Sequence, residues 1–321
     1  MKRIAIPVLA SLVAVALAAC SPTTAPGDDT AGGGDSKVLG IVAYIGNNAI
    51  NQQAIRGAIQ VAEDAGWEVK VTDTQGNADT ANAAMSSYAT QGVGGIITLV
   101  FATTALGSGL AAAEAAGIPV ASWGGGLAEG VTATTSNEAV GAASAKALVD
   151  AMGNEGDVLA LTFHPGKLCL DQGDEFDAAV AKTDLEVTRN ELVVPGQQTS
   201  AANFTTAWLG SHPVGGNYGI WTCWDEPMEG IQSALTQAGR TDVKTFSTNV
   251  SAPGILDIQA GVVTAGVWQP AEDEGAALMQ SILDYNEAPE GWEPLTIKID
   301  GVVLDSTTVD DFIAERPESV Q

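Results

Sequence analysis

From Lys37 to the C-terminus the chain alternates short runs rich in Val and Ile with Ala-rich stretches whose apolar residues recur at helical spacing. This alternation constrains the fold most, because it is the pattern of βαβ units around a parallel sheet. In the first half it predicts strands at 38–44, 67–73, 95–100, 118–123 and 131–135, with helices at 50–65, 79–91 and 104–116 between them. A second series starts after a break near Ser136. Its helices are expected at 137–152, 171–182, 200–209, 226–238, 253–260 and 272–285, and its strands at 157–163, 185–194, 218–224, 243–248 and 263–268. Extended segments around 295–299 and 302–304 complete it. Two consecutive series of similar length predict an α/β protein of two doubly wound parallel-sheet lobes. A closed eight-fold barrel would need about 250 residues in one evenly repeated series.

The segment before Lys37 does not belong to that pattern. Lys2 and Arg3 precede an apolar run, 4–19, that is short for a membrane span, and the run ends in Leu17-Ala18-Ala19-Cys20. Residues 1–19 therefore read as a lipoprotein signal peptide, with Cys20 as the lipidated N-terminus after cleavage. Residues 20–36, rich in Pro, Gly, Thr and Asp, read as a flexible tether. The expected location is the outer face of the cell membrane.

Thirteen Lys plus Arg against thirty-nine Asp plus Glu give a net charge of −26, which cleavage makes two units more negative. Such a field repels phosphate backbones and anionic headgroups, so nucleic-acid binding and electrostatic membrane docking are not expected. Cys169 and Cys223 remain besides Cys20. In an oxidising compartment an even pair forms a disulfide more often than it stays as two buried thiols. No spacing of Cys or His suggests a metal, and no cofactor is expected. There is no Gly-x-Ser-x-Gly elbow, Walker motif or dinucleotide fingerprint, so an enzyme is not expected.

Several segments carry a resemblance. They are Gly40-Ile41-Val42, Ala65-Gly66-Trp67-Glu68-Val69, Gln91-Gly92-Val93-Gly94-Gly95-Ile96-Ile97 and Ala116-Gly117-Ile118-Pro119-Val120. Further along come Cys223-Trp224-Asp225-Glu226, Ile258-Gln259-Ala260-Gly261 and Val267-Trp268-Gln269-Pro270. In order and spacing they resemble the type 1 periplasmic binding proteins, specifically the ribose-binding-like solute receptors of sugar ABC importers. The resemblance runs from Val38 almost to the C-terminus. It implies lobes joined by a three-segment hinge with crossings near Ser136, Pro270 and Gly291. One lobe would be 37–136 plus 270–290, the other 137–269 plus 291–321.

Ligands in open α/β sheets lie beyond the carboxyl ends of the strands, so the strand ends can be searched for binding groups. In the first lobe they offer Asn47, Asn48 and Asn51, then Phe101, then Trp123 followed by Gly124-Gly125. Relatives of the ribose receptor carry an Asp-Arg pair near that last position, and here the charged clamp is missing. In the second lobe they offer His164 and Asp171. Trp224-Asp225 stands in place of the family's Asn-Asp, Asn249 near its second Asp, and Trp268-Gln269 where it has a cleft Gln. Trp faces beside amides and carboxylates suit a sugar, whose C–H face stacks while its hydroxyls take hydrogen bonds. Each Trp reads alternatively as loop packing, Asn47 as a turn residue and Asp225 as a helix N-cap. Cys169 and Cys223 map beside the same cleft, Cys169 in a loop.

The expected function is thus capture of a neutral sugar or cyclic polyol by a monomeric, lipid-anchored receptor that delivers it to an ABC permease with ATPase subunits. A nucleoside or cationic ligand, or a sensory role beside a membrane kinase, stays open, since Trp faces and Asp side chains suit those too.

Overall fold

The computed structural model describes residues 36–320, so the predicted signal peptide, Cys20 and most of the tether lie outside the described residues. The first sheet contains β1 (Val38–Ala43), β2 (Glu68–Asp73), β3 (Gly95–Leu99), β4 (Val120–Trp123), β5 (Val131–Thr135) and β11 (Leu295–Ile297). Its order is β11-β5-β4-β3-β1-β2, and all its pairings are parallel. The helices α1 (Ala49–Asp64), α2 (Ala78–Gln91), α3 (Gly107–Ala115) and α9 (Ala271–Glu287) belong to this lobe.

The second sheet contains β6 (Glu155–Thr162), β7 (Asp184–Glu191), β8 (Tyr218–Thr222), β9 (Val243–Ser247), β10 (Ala265–Trp268) and β12 (Val302–Asp305). Its order, β12-β10-β9-β8-β6-β7, repeats that of the first, except that β12 runs antiparallel to β10. The helices α4 (Glu138–Met152), α5 (Lys167–Val180), α6 (Gln197–Leu209), α7 (Glu226–Gln237), α8 (Ala252–Gln259) and α10 (Val309–Glu315) accompany it.

Strands covered on both faces are buried along their whole length, as β3, β4, β5 and β8 are, and the polar residues they carry are limited to small Thr and Ser and a single Tyr. The outer strands β2 and β7 carry exposed charged residues instead, which discourages pairing with another chain. Helix α1 buries Ile50, Ala54, Ile55, Ala58 and Ala62, and starts where the Asn48 side chain accepts from the Asn51 N–H (3.2 Å). Two glycines let α1 and α9 touch backbone to backbone. A Cβ on Gly57 would lie 1.8 Å from the Glu272 carbonyl oxygen, and one on Gly275 1.9 Å from that of Ala54. That approach fixes how α9 sits beside the hinge.

Two expectations are corrected here, and one helix is added. The third crossing does not fall at Gly291: β11 pairs with β5, Leu295 opposite Ala133 and Ile297 opposite Thr135, so the chain stays with the first sheet until after Ile297. With three residues and little burial, β11 carries no periodic signal, and its place comes from the open edge of β5. Helix α5 starts at Lys167 rather than Asp171, because Leu168, Gln172 and Phe176 form a continuous buried stripe; Cys169 is therefore in a first helical turn, not in a loop. Helix α10, held by only Val309 and Phe312, is too short for its period to be read.

Candidate ligand cleft

In each sheet the strand order reverses at one place, between β1 and β3 in the first and between β6 and β8 in the second. The segments leaving these four strands converge on one cavity, as expected of a topological switch point. Tyr44 and Ile45 follow β1, Val100 follows β3, Phe163 follows β6, and Cys223 and Trp224 follow β8; all line it. Counting the part open to solvent, the empty space is about 560 Å³.

The walls are mainly aromatic and aliphatic: Tyr44, Trp123, Phe163 and Trp224, with Ile45, Ile50, Val100, Leu168 and Val194. Tyr44 meets Phe163 edge-on across the cleft with ring centroids 6.0 Å apart, and Phe163 meets Trp224 at 6.1 Å. Burial raises the Tyr44 hydroxyl above its ordinary pKa. The polar lining is Asn48, Asn51, Gln197, Asn249 and one carboxylate, Glu226.

Glu226 opens α7 and gathers three neutral donors. Its Oε1 accepts from Asn48 Nδ2 (2.7 Å); its Oε2 accepts from Gln197 Nε2 (2.7 Å) and Trp224 Nε1 (3.4 Å). The Asn48 bond runs from one lobe to the other. So does the bond from the Lys167 N–H to the Val100 carbonyl (3.3 Å), beside a bridge between Phe101 and Gly166. These contacts hold the described cleft shut.

Cys169 and Cys223 are joined by a disulfide with Cα atoms 5.2 Å apart, closing a separation of 54 residues and tying the first turn of α5 to the end of β8. Both cysteines line the cavity.

Of the residues expected in the cleft, Asn48, Asn51, Trp123, Trp224 and Asn249 are brought together there. The Asn249 backbone has φ 52°, a conformation Asn tolerates, and its Oδ1 accepts from Gln172 Nε2 (3.1 Å). The others are placed elsewhere. Asn47 is exposed, and Phe101 is buried behind Tyr44, 4.7 Å between centroids. His164 is exposed and 3.5 Å from Glu191, and Asp171 pairs with Lys167. Trp268 packs on Phe312 (5.2 Å) with the Arg316 guanidinium 4.9 Å over its ring, so helix α10, unread in the sequence, covers the face expected to be free. Gln269 is fully buried against Asn137 and Glu274.

Asp225 flanks α7 but its side chain makes no cap bond. Its Oδ2 instead accepts from the N–H (2.6 Å) and hydroxyl (2.5 Å) of Ser251, and burial pushes its pKa up to about 6 despite those donors.

Sequence reasoning missed Tyr44, Phe163, Gln197 and Glu226. Tyr44 and Phe163 stand one residue past a strand, where the strand-end rule would have found them. Glu226 stands one residue beyond Asp225 on a turn that alone decides which of the two carboxylates faces the cleft.

A cavity between two similar α/β lobes, with aromatic walls and few fixed polar groups, defines a receptor for a small solute. Residues 39–288 match the family described as periplasmic binding protein domain, and the chain belongs to that family, one of binding proteins rather than enzymes. The fold is that of ABC-transporter solute-binding proteins. It is similar to one from Agrobacterium vitis with bound allitol, at 23% identity and TM-score 0.79, covering 87% of this chain and 99% of that one. An ABC sugar transporter subunit from Rhodobacter sphaeroides 2.4.1 is similar at 25% identity and TM-score 0.76, covering 84% and 98%. A Bacillus halodurans solute-binding protein with bound myo-inositol is similar at 17% identity and TM-score 0.75, covering 87% and 98%. No curated protein matches the sequence. Among the described residues no helix is long and apolar enough to cross a membrane.

Proposed function

We propose that this protein is the extracytoplasmic receptor of an ABC importer, held at the outer face of the cell membrane by lipid on Cys20, and that it captures a neutral sugar or cyclic polyol. One observation carries the ligand class: the cavity combines four aromatic rings with neutral amides and a single carboxylate, and no Lys, Arg or His lines it among the described residues. A strongly anionic ligand would find no guanidinium fork there. A polyhydroxyl ring fits, its C–H face against Trp123 or Trp224 and its hydroxyls on Asn48, Asn51, Asn249 and Glu226. Related structures described with allitol and myo-inositol support the same class.

On this reading the ligand stabilises the shut state by contacts made to both lobes at once. The lipid anchor keeps the monomeric receptor near its permease and raises the effective concentration for delivery. A thermal-shift screen of sugars, polyols, nucleosides and polyamines tests it. Sugars or polyols raise the melting temperature and quench or enhance Trp fluorescence; a response confined to nucleosides or polyamines overturns the ligand class. Labelling with radioactive palmitate, lost in Cys20→Ser, tests the anchor.

A further inference from the structure

We propose that Glu274, which no ligand can touch, is a positioning residue for the cleft: it sets the Trp123 ring in the cavity wall and ties that ring to two of the three lobe crossings. This rests on the cavity being the ligand site.

Glu274 stands in the first turn of α9 and is fully buried. Its Oε2 accepts from Trp123 Nε1 (2.6 Å) and from Gln269 Nε2 (2.6 Å). Gln269 Nε2 also donates to Asn137 Oδ1 (2.6 Å). Asn137 lies in the first crossing, between β5 and α4, and Gln269 in the second, between β10 and α9. A rotation of one lobe on the other must bend both crossings. One carboxylate therefore links the bending segments to a ring of the cavity, and the backbone contact of α9 with α1 at Gly57 and Gly275 leaves it little room to follow.

The network is also left incomplete. Glu274 Oε1, Gln269 Oε1 and Asn137 Nδ2 are buried without a partner. Two of these are acceptors on side chains already joined through their other polar atom. Besides the unused Asn137 amide, a proton on Glu274 would add a donor for one of the two unpartnered acceptors, so the ionised and protonated carboxyl would give the network different hydrogen-bonded arrangements. Burial pushes the Glu274 pKa up to about 7, with Asp273 adding to the rise and the Trp123 and Gln269 donors opposing it.

Of the elements packed on α9, β3, β4, β5 and β11 carry no titratable side chain, while α1 brings Arg56, Glu63 and Asp64. Arg56 pairs with Glu272 at the exposed surface, 3.5 Å away. Glu138, Lys298 and Asp300 are the charged groups of the adjoining crossings. The buried carboxyl thus has no cation partner among the described contacts.

The test uses the full chain, as wild type, E274Q, E274L and W123F, with Trp fluorescence followed from pH 5 to pH 9 without ligand, and with affinities for allitol and myo-inositol measured across the same range. Expected is a fluorescence transition near pH 7 in wild type that disappears in both E274Q and W123F; W123F also separates it from Trp208, which stacks on His212. Probe affinity should fall roughly tenfold in E274L and recover most of that loss in E274Q, whose amide oxygen can still accept from Trp123. A transition that persists in E274Q overturns the proposal, as do unchanged affinities in a folded E274L. If E274L does not fold, E274Q and W123F decide by fluorescence. If neither probe binds wild type, the ligand-free titration decides the role of Glu274, and the ligand class is decided separately by the thermal-shift screen.

Discussion

Two glutamates in this protein are built into nearly the same cluster and do opposite things with it. Glu226, half-buried at the cleft, accepts from Trp224, Gln197 and, across the lobes, Asn48. Glu274, in the hinge, accepts from Trp123 and Gln269 and has no contact with solvent. Both carboxylates meet an indole and amides. At the cleft the partners come from different lobes and a ligand can replace them; at the hinge they come from neighbouring segments and nothing can enter. Burial therefore leaves one carboxylate open to the cavity and makes the other an internal acceptor whose charge is costly.

The two regions are also secured differently, and the largest expected effect comes from breaking that difference. One wall of the cleft, within the second lobe, is fastened covalently, and the hinge is held by hydrogen bonds. Replacing Cys169 and Cys223 by Ser releases a separation of 54 residues. The expected loss is about 4 kcal/mol from chain entropy. Calorimetry should show a melting temperature lower by roughly 10 °C, and addition of reductant should reproduce the shift in wild type but not in the double variant. An unchanged melting temperature would mean that the cleft does not depend on its covalent fastening.

Next comes pH. Burial raises Asp225 to about 6 and Glu274 to about 7, from ordinary values of 3.8 and 4.5. Between those values the folded protein keeps protons that the unfolded chain has released. Their contribution is therefore full below about pH 4, falls as pH rises to about 7, and is constant above. For Glu274 the fall is on the order of 3 kcal/mol. Melting temperatures measured from pH 4 to 8 should decline less steeply in E274Q than in wild type. Asp242 goes the other way. Held down at about 2 by the Arg240 guanidinium, it stabilises above its ordinary pKa of 3.8 and is lost only in stronger acid.

A smaller effect is expected at the cleft itself. N48A removes the bond that crosses between the lobes, worth about 1 kcal/mol. Ligand affinity should fall roughly fivefold by isothermal titration, mostly through faster dissociation, and the melting temperature should drop by about 3 °C, because the cap of α1 is lost as well. The smallest effect belongs to Trp268. Because its ring lies against Phe312 and under Arg316, W268F should alter affinity by less than twofold while costing about 1 kcal/mol of stability. A large loss of affinity would return Trp268 to the cleft.

Trp123, Trp224 and Trp268 all end strands, and the sequence offers no means of ranking them. Two line the cavity, and the third is covered by a helix whose seven residues carry no readable period. Asp225 and Glu226 are adjacent, and only the turn into α7 decides that the first meets Ser251 and the second the cleft. Gln269 matches a cleft position of the resembled family, yet here Glu274 and Asn137 draw it into the hinge.

The alternation of strands and helices, its division into two series of similar length and the near absence of fixed cations at the strand ends were legible in the residues, because each depends on local periodicity or composition. Which side chains meet was not. The closing of a 54-residue separation by Cys169 and Cys223, the return of Leu295–Ile297 to the first sheet and the pairing of Glu274 with Trp123 across 151 positions all join residues remote in the chain. Local patterns end within one element, and contacts of that reach are decided only when two lobes and three crossings pack against one another.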